Sequence, residues 1–199
     1  MNEQISTSPD FWTKRYVSGK TPWDFHGVPA ALKSFLARTS SRGTVLIPGC
    51  GSGYEVQAFH EAGFEVTAID FSAGAIDQAK AVLGSLVKKV LFGDFFTFDF
   101  EQRRFDLIYE RTFLCSLPPT RWPDYAQRMA ELLVPAGRLV GIFLYGCESE
   151  PPPYPLAKNE ADKLFGKKFR LTRSESVADS LPIFKGMEKW QEWTKAQIN

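Results

Sequence analysis

Residues 44–53 read Thr44-Val45-Leu46-Ile47-Pro48-Gly49-Cys50-Gly51-Ser52-Gly53. The first four form a short apolar run, the mark of a buried parallel strand. Pro48 ends it. Three glycines at alternate positions then let the chain turn sharply and let its backbone approach a ligand closely. A helical stretch from about Tyr54 to Ala62 follows, so the glycines lead into a helix N-terminus with its free N–H groups. A G-x-G-x-G by itself fits a nucleotide-binding loop or a plain strand-to-helix turn. The flanking sequence has to decide.

Downstream the alternation continues. Glu65 to Ile69 predicts a second strand ending at Asp70, and Ser72 caps a helix carrying Ile76, Ala79 and Leu83. Lys89 to Phe92 predicts a third strand, closed by Gly93-Asp94. Phe105 to Tyr109 predicts a fourth, Arg121 to Leu133 a helix, and Arg138 to Tyr145 a fifth strand. Gly146 to Pro155, with four prolines and two acids, reads as a loop over the site. A helix from Asn159 to Phe165 and a strand from Phe169 to Ser174 follow. In the tail Gly186 to Trp193, the apolar residues Met187, Trp190 and Trp193 stand three apart, which by periodicity favours a helix. Upstream, Asp10 caps a short helix with Phe11, Trp12 and Tyr16, an irregular loop spans Gly19, Pro22 and Gly27, and a second helix fits Pro29 to Ala37. Strands and helices alternating at these lengths predict an α/β fold, a doubly wound, mostly parallel sheet with helices on both faces.

Composition narrows the function classes. The 199 residues suit one domain. A net charge of +1 leaves no electrostatic footprint for nucleic acid or an anionic membrane. Cys50, Cys115 and Cys147 are an odd, unclustered set, against a disulfide framework and pointing to a reducing cytoplasm. With His26 and His60 the only histidines, no zinc-site spacing exists, and no metal is expected. Met1 to Pro9 lacks the apolar stretch of a signal peptide, and no apolar run approaches membrane-spanning length. The chain is expected to be a monomer acting on a small molecule. Aromatic residues, at 14%, exceed what one core of this size needs.

Acids at successive strand ends sharpen the reading of the glycine loop. Asp70 lies about 20 residues past the glycines, where doubly wound folds place a carboxylate on ribose hydroxyls. Alternatively it caps the helix after it. Asp94, followed by Phe95, suits an adenine amino group with an apolar ring packed on the base. Alternatively these are a turn residue and core rings.

Together the glycine loop, Asp70 and Asp94 resemble the Class I methyltransferase pattern. More narrowly the chain resembles the thiopurine S-methyltransferase family, with its halide, thiol and thiocyanate methyltransferase branch. The matching stretches are Phe11-Trp12 through Gly19-Lys20-Thr21-Pro22-Trp23-Asp24, Ile47 to Gly53, Phe105-Asp106-Leu107-Ile108-Tyr109-Glu110-Arg111, and Pro152-Pro153-Tyr154. The resemblance implies a Rossmann-like sheet of seven strands, the tail 186–193 being one of them despite its spacing. It implies S-adenosyl-L-methionine as cofactor, held by Gly49, Gly51, Gly53, Asp70, Asp94 and Phe95. It also implies that segment 10–27 covers the cofactor with Trp12, Tyr16 and Trp23, rings able to face a sulfonium for about 0.5–2 kcal/mol each.

Methyl transfer from a sulfonium is an in-line displacement, and an acceptor that is already anionic needs no strong base. Alignment alone supplies roughly 7–11 kcal/mol. Arg111, just past the fourth strand, is the candidate catalytic residue, bordering the cofactor and binding the acceptor: its guanidinium attracts an anion and favours thiolate over thiol. In the family an arginine here marks the thiopurine branch and a tyrosine the plant halide and thiocyanate branch. Alternatively Arg111 pairs with a nearby acid. Glu110 is an alternative, as a base, but strand alternation points it and Arg111 to opposite sides, so only one of the two is expected to face the pocket. Tyr154 among prolines is a candidate wall of the acceptor site. Cys50 and Cys115 read as core or loop residues. A nicotinamide-dependent oxidoreductase shares the glycines and Asp70 but leaves Asp94 and the amino-terminal aromatics unexplained. A non-catalytic adenosylmethionine sensor is the remaining alternative.

Overall fold

In the computed structural model, residues 6–40, 42–146, 148 and 150–197 are described. The first five residues and Cys147, on which the leader and cysteine readings partly rested, lie outside them. The chain divides into two compact units, Met1–Phe98 and Asp99–Asn199.

The first unit holds helix α1 (Pro9–Val17), helix α2 (Ala30–Arg38), strand β1 (Thr44–Pro48), helix α3 (Tyr54–Glu61), strand β2 (Glu65–Asp70), helix α4 (Ala73–Leu83) and strand β3 (Val90–Phe92). β1 pairs in parallel with β2, and β2 with β3. Val45, Leu46, Ile47, Ala68 and Ile69 are all buried, as an apolar run in a parallel strand requires. Ser72 caps α4, its hydroxyl oxygen accepting the Ala75 N–H at 3.2 Å. The expected cap on α1 is corrected. The helix begins one residue before Asp10, at Pro9, and Ser8 stands in the cap position without a side-chain bond. Proline is favoured there because the N–H it lacks has no helical partner anyway. Asp10 lies in the first turn, where its charge suits the helix dipole.

The second unit holds strand β4 (Phe105–Arg111), helix α5 (Trp122–Leu132), strand β5 (Leu133–Leu144), helix α6 (Glu160–Phe165), strand β6 (Phe169–Ser176) and strand β7 (Glu188–Lys195). β4 runs two residues further than its apolar run suggests, so Arg111 ends the strand rather than following it. β5 pairs in parallel with β4, and β7 lies antiparallel between β5 and β6. The tail is therefore a strand, against its threefold spacing. Residues three apart point to opposite faces of a strand, and both Trp190 and Trp193 are buried because β7 is covered on both sides. Around Phe165 the rings of Trp193 (5.1 Å), Phe143 (5.9 Å) and Phe169 (5.9 Å) gather. Part of the aromatic surplus thus goes into this core.

The strands form one seven-stranded sheet in the order β3-β2-β1-β4-β5-β7-β6, mostly parallel, an α/β fold. Among the described residues no helix is long and apolar enough to cross a membrane, and no cluster of His, Cys, Asp and Glu is placed to hold a metal ion.

Candidate functional site

In the first unit the glycine loop joins β1 to α3. Gly49, Gly51 and Gly53 have φ of 58°, 52° and 82°, the left-handed region that disfavours side chains. At Gly53 a Cβ would also lie 2.8 Å from Leu83 Cδ1, so this glycine lets α3 start against α4. At Gly51 a Cβ would lie 2.6 Å from the Tyr16 hydroxyl. The lack of a side chain at Gly51 thus lets the Tyr16 hydroxyl come down onto the loop.

Asp70, at the end of β2, is nearly buried. Its Oδ2 accepts the Gly51 N–H at 3.0 Å and its Oδ1 the Ser72 N–H at 2.9 Å. Burial pushes its carboxyl up to about 6, against the lowering effect of the hydrogen bonds from the Ser72, Gly51 and Phe71 amides. The carboxylate thus ties the glycine loop to the start of α4. With three amides on the carboxylate, one lone-pair position is left for a further donor such as a ribose hydroxyl. Asp94, after β3, is exposed, and its Oδ1 accepts the Phe96 N–H at 2.9 Å. Phe95 is buried, edge-on to the half-buried Phe96 at 5.4 Å, so Phe96 is the more open ring beside the carboxylate.

The amino-terminal segment packs on this loop. α1 crosses the start of α4 so closely that a Cβ on Gly74 would meet Tyr16 Cβ at 2.8 Å and the Thr13 carbonyl at 2.9 Å. The Thr13 and Ser72 hydroxyls are 3.1 Å apart. Trp23 meets Trp12 edge-on at 5.3 Å and Tyr16 at 6.0 Å, and its side chain is hydrogen-bonded to the Tyr16 hydroxyl. Asp24 accepts the Ser52 hydroxyl at 2.5 Å. Neither Asp24 nor Ser52 was singled out in the sequence.

The second unit carries the remaining candidates. Glu110 and Arg111 diverge as strand alternation requires: Glu110 is 1% exposed, Arg111 half-buried. Glu110 Oε1 accepts the Phe113 and Leu114 N–H groups, each at 2.9 Å, and Oε2 accepts the Tyr125 hydroxyl at 2.6 Å. This carboxyl braces the turn after Arg111, in which Thr112 takes a left-handed φ of 58°. Burial pushes it up to about 7. The positive charge of Arg111 is felt by two buried groups, the Cys115 thiol and the Glu188 carboxyl, and lowers the pKa of each against the stronger upward push of burial. Glu188 opens β7, faces Leu144 across the ladder and accepts the Ser180 hydroxyl at 2.6 Å. Its only sequence signal lay in a tail whose period read as helical. Tyr154 is buried, and its N–H donates to the Cys115 carbonyl at 2.7 Å. Its hydroxyl has no hydrogen-bond partner among the described residues. Together with Glu110 and Cys115, Tyr154 borders a cavity of about 10 Å³, room for one water.

Two buried carboxyls raised in this way make stability depend on pH. Asp70 and Glu110 hold their protons more tightly folded than unfolded. Their contribution is complete below about pH 4 and is lost as pH rises through 6 to 7, because only the unfolded chain ionises freely over that interval. Thermal melts should therefore give a lower Tm at pH 8 than at pH 5, with a smaller drop in Glu110→Gln. An equal drop in that variant would mean Glu110 does not contribute.

Comparison with known proteins places the chain. It is 34% identical over 193 residues to probable thiol methyltransferase 2 of Arabidopsis thaliana, covering 93% of this chain and 84% of that one. It is 33% identical over 192 residues to thiocyanate methyltransferase 1 of Brassica oleracea, covering 92% and 84%. Among solved structures, it superposes with a TM-score of 0.73 on the Burkholderia thailandensis 1,6-didemethyltoxoflavin-N1-methyltransferase, which was solved with S-adenosylhomocysteine; the identity is 20%, with 95% of this chain and 87% of that one covered. Residues 7–196 match the model of the thiopurine S-methyltransferase family. Over nearly its whole length, then, this chain belongs to the thiopurine S-methyltransferase family.

Proposed function

We propose that the chain methylates small sulfur nucleophiles that react as anions, thiolates first, with Arg111 holding the acceptor. Membership of the family makes it an S-adenosylmethionine-dependent S-methyltransferase and sets the nicotinamide reading aside. The donor fits the residues present. Asp70, fixed by the Gly51 and Ser72 amides at the foot of the glycine loop, keeps one lone-pair position for a further donor. In this reading Asp70 takes the ribose hydroxyls, Asp94 the adenine amino group with a phenylalanine ring beside it, and segment 10–27 covers the donor through Trp12, Tyr16 and Trp23. When bound, S-adenosylmethionine supplies a methyl group on a sulfonium whose leaving group is a neutral thioether.

The observation that carries the acceptor class is the field of Arg111. Half-buried at the end of β4, its guanidinium lowers the pKa of the Cys115 thiol, although burial and the Glu110 and Glu188 carboxyls outweigh it and hold that thiol well above its ordinary value. An acceptor thiol beside it would be shifted toward thiolate in the same sense. Glu110, locked in three hydrogen bonds, is not the base. Tyr154, hung on the same turn, borders the acceptor side, and the free cysteines Cys50 and Cys115 accord with work in the cytoplasm. The test is S-adenosylhomocysteine release with S-adenosylmethionine and benzenethiol, hydrosulfide, thiocyanate or iodide. Turnover fastest with the thiols supports the assignment. Turnover with iodide or thiocyanate alone would move the acceptor class, and donor binding without turnover on any acceptor would favour a sensor.

A further inference from the structure

Two consecutive residues, Trp23 and Asp24, bring the amino-terminal segment onto the glycine loop. Trp23 does so through Tyr16, whose hydroxyl stands over Gly51. Asp24 does so directly. Ser52 donates its hydroxyl proton to Asp24 Oδ2 at 2.5 Å, the length of a charge-assisted O–H···O⁻ bond. Asp24 Oδ1 accepts the His26 N–H at 2.8 Å, so both carboxylate oxygens are engaged and the rotamer is fixed. The side chain of Asp24 is 11% exposed, and Ser52 is 6% exposed, so water competes little for the bond.

The position of Ser52 makes the bond consequential. It stands between Gly51 and Gly53, both left-handed, in a stretch whose glycines lose more freedom on ordering than other residues would. Such a loop needs anchors outside itself. Asp70 provides one, through the Gly51 N–H, from the sheet. Asp24 provides a further one, through the Ser52 side chain, from the amino-terminal segment.

We propose that Asp24 is a positioning residue, a latch that ties segment 10–27 to the glycine loop and sets how fast the bound cofactor leaves. This rests on reading that segment as the cofactor cover. The cover cannot lift from the loop while the Ser52–Asp24 bond is made, so bond opening precedes release. Asp24 acts through Ser52 and need not touch the cofactor.

The test is stopped-flow tryptophan fluorescence of S-adenosylhomocysteine dissociation, for which Trp12 and Trp23 in the cover are the reporters. Asp24→Ala and Ser52→Ala should each speed dissociation about tenfold or more. The double variant should dissociate no faster than the faster single one, since both changes remove the same bond. Asp24→Asn, which keeps an acceptor oxygen, should recover most of the wild-type rate and keeps the test open if Asp24→Ala does not fold. A bond that only stabilises the fold would lower Tm without moving the dissociation rate. Unchanged dissociation in both alanine variants, or effects that multiply in the double variant, would overturn the latch. Failure of the wild-type chain to bind S-adenosylhomocysteine would instead remove the cofactor cover itself, and the latch with it.

Discussion

Arg111→Met should lower kcat/KM for thiol acceptors about a hundredfold, the usual cost of removing one group that stabilises charge at a reacting centre. The affinity for S-adenosylhomocysteine should change little, because the glycine loop and Asp70 are untouched. The pH dependence identifies the cause. Without the guanidinium fewer thiol acceptors ionise at neutral pH, so their rate profile should move to higher pH, whereas the profile for thiocyanate or iodide, already anions, should stay in place. Arg111→Lys keeps the charge without the planar fork and should retain part of the rate. Arg111 also lies near the buried Glu188, which loses a favourable charge in the methionine variant. Combining Arg111→Met with Glu188→Gln removes both charges and is the control for folding. Wild-type rates in Arg111→Met on every acceptor would make the residue a structural partner of Glu188 and nothing more.

Gly141→Ala should be the most destabilising single methyl group in the second unit. Gly141 pairs with Glu110 across β4 and β5. A Cβ there would be driven onto the Glu110 carbonyl oxygen and would lie 2.7 Å from its carbonyl carbon and 2.8 Å from its nitrogen. These are backbone atoms of a paired strand and cannot swing aside as a side-chain end can. The strands must separate, which costs about 3 kcal/mol or more and lowers Tm by roughly 10 °C for a chain of this size. Activity should fall with stability, because the same peptide positions Arg111. Gly27→Ala, where the nearest atom would be Phe25 Cδ1 at 4.0 Å, is the control and should melt within a degree or two of wild type. A normal melt for Gly141→Ala would mean the two strands are less closely paired than described.

The parts of the fold that were legible are those written in local pattern. An apolar run ending in a breaker, then a cap, then a helix, defined β1 through α4 to within a residue or two, because each signal acts on its own neighbours. β7 was not legible in this way. Being covered on both faces removes the period of two that marks a strand, and Trp190 and Trp193 then imitate a helix. Glu188 was hidden with it, since its importance comes from Ser180 and Arg111, which only the ladder brings near. The glycines and Asp70 could be placed because they follow strand ends directly. The burial of Phe95 in preference to Phe96 could not be foreseen: two adjacent identical residues give no local reason for one to turn inward. Asp24 and Ser52 also escaped notice, 28 positions apart and joined only by packing.

The insertion of β7 between β5 and β6 also sets a sequence of events in time. β6 is synthesised before β7, yet its backbone partner in the sheet is β7 and not the earlier β5. While β7 is still unmade, β5 presents an open edge and β6 has no ladder at all. Edges of that kind recruit other chains. In the first unit β1, β2 and β3 pair with near neighbours in the chain, so those ladders need nothing that is made later. The second unit must wait for Glu188 to Lys195 before its ladder is complete. Ribosome-bound chains halted just before Glu188 would therefore carry a protease-resistant amino-terminal half and a digestible remainder.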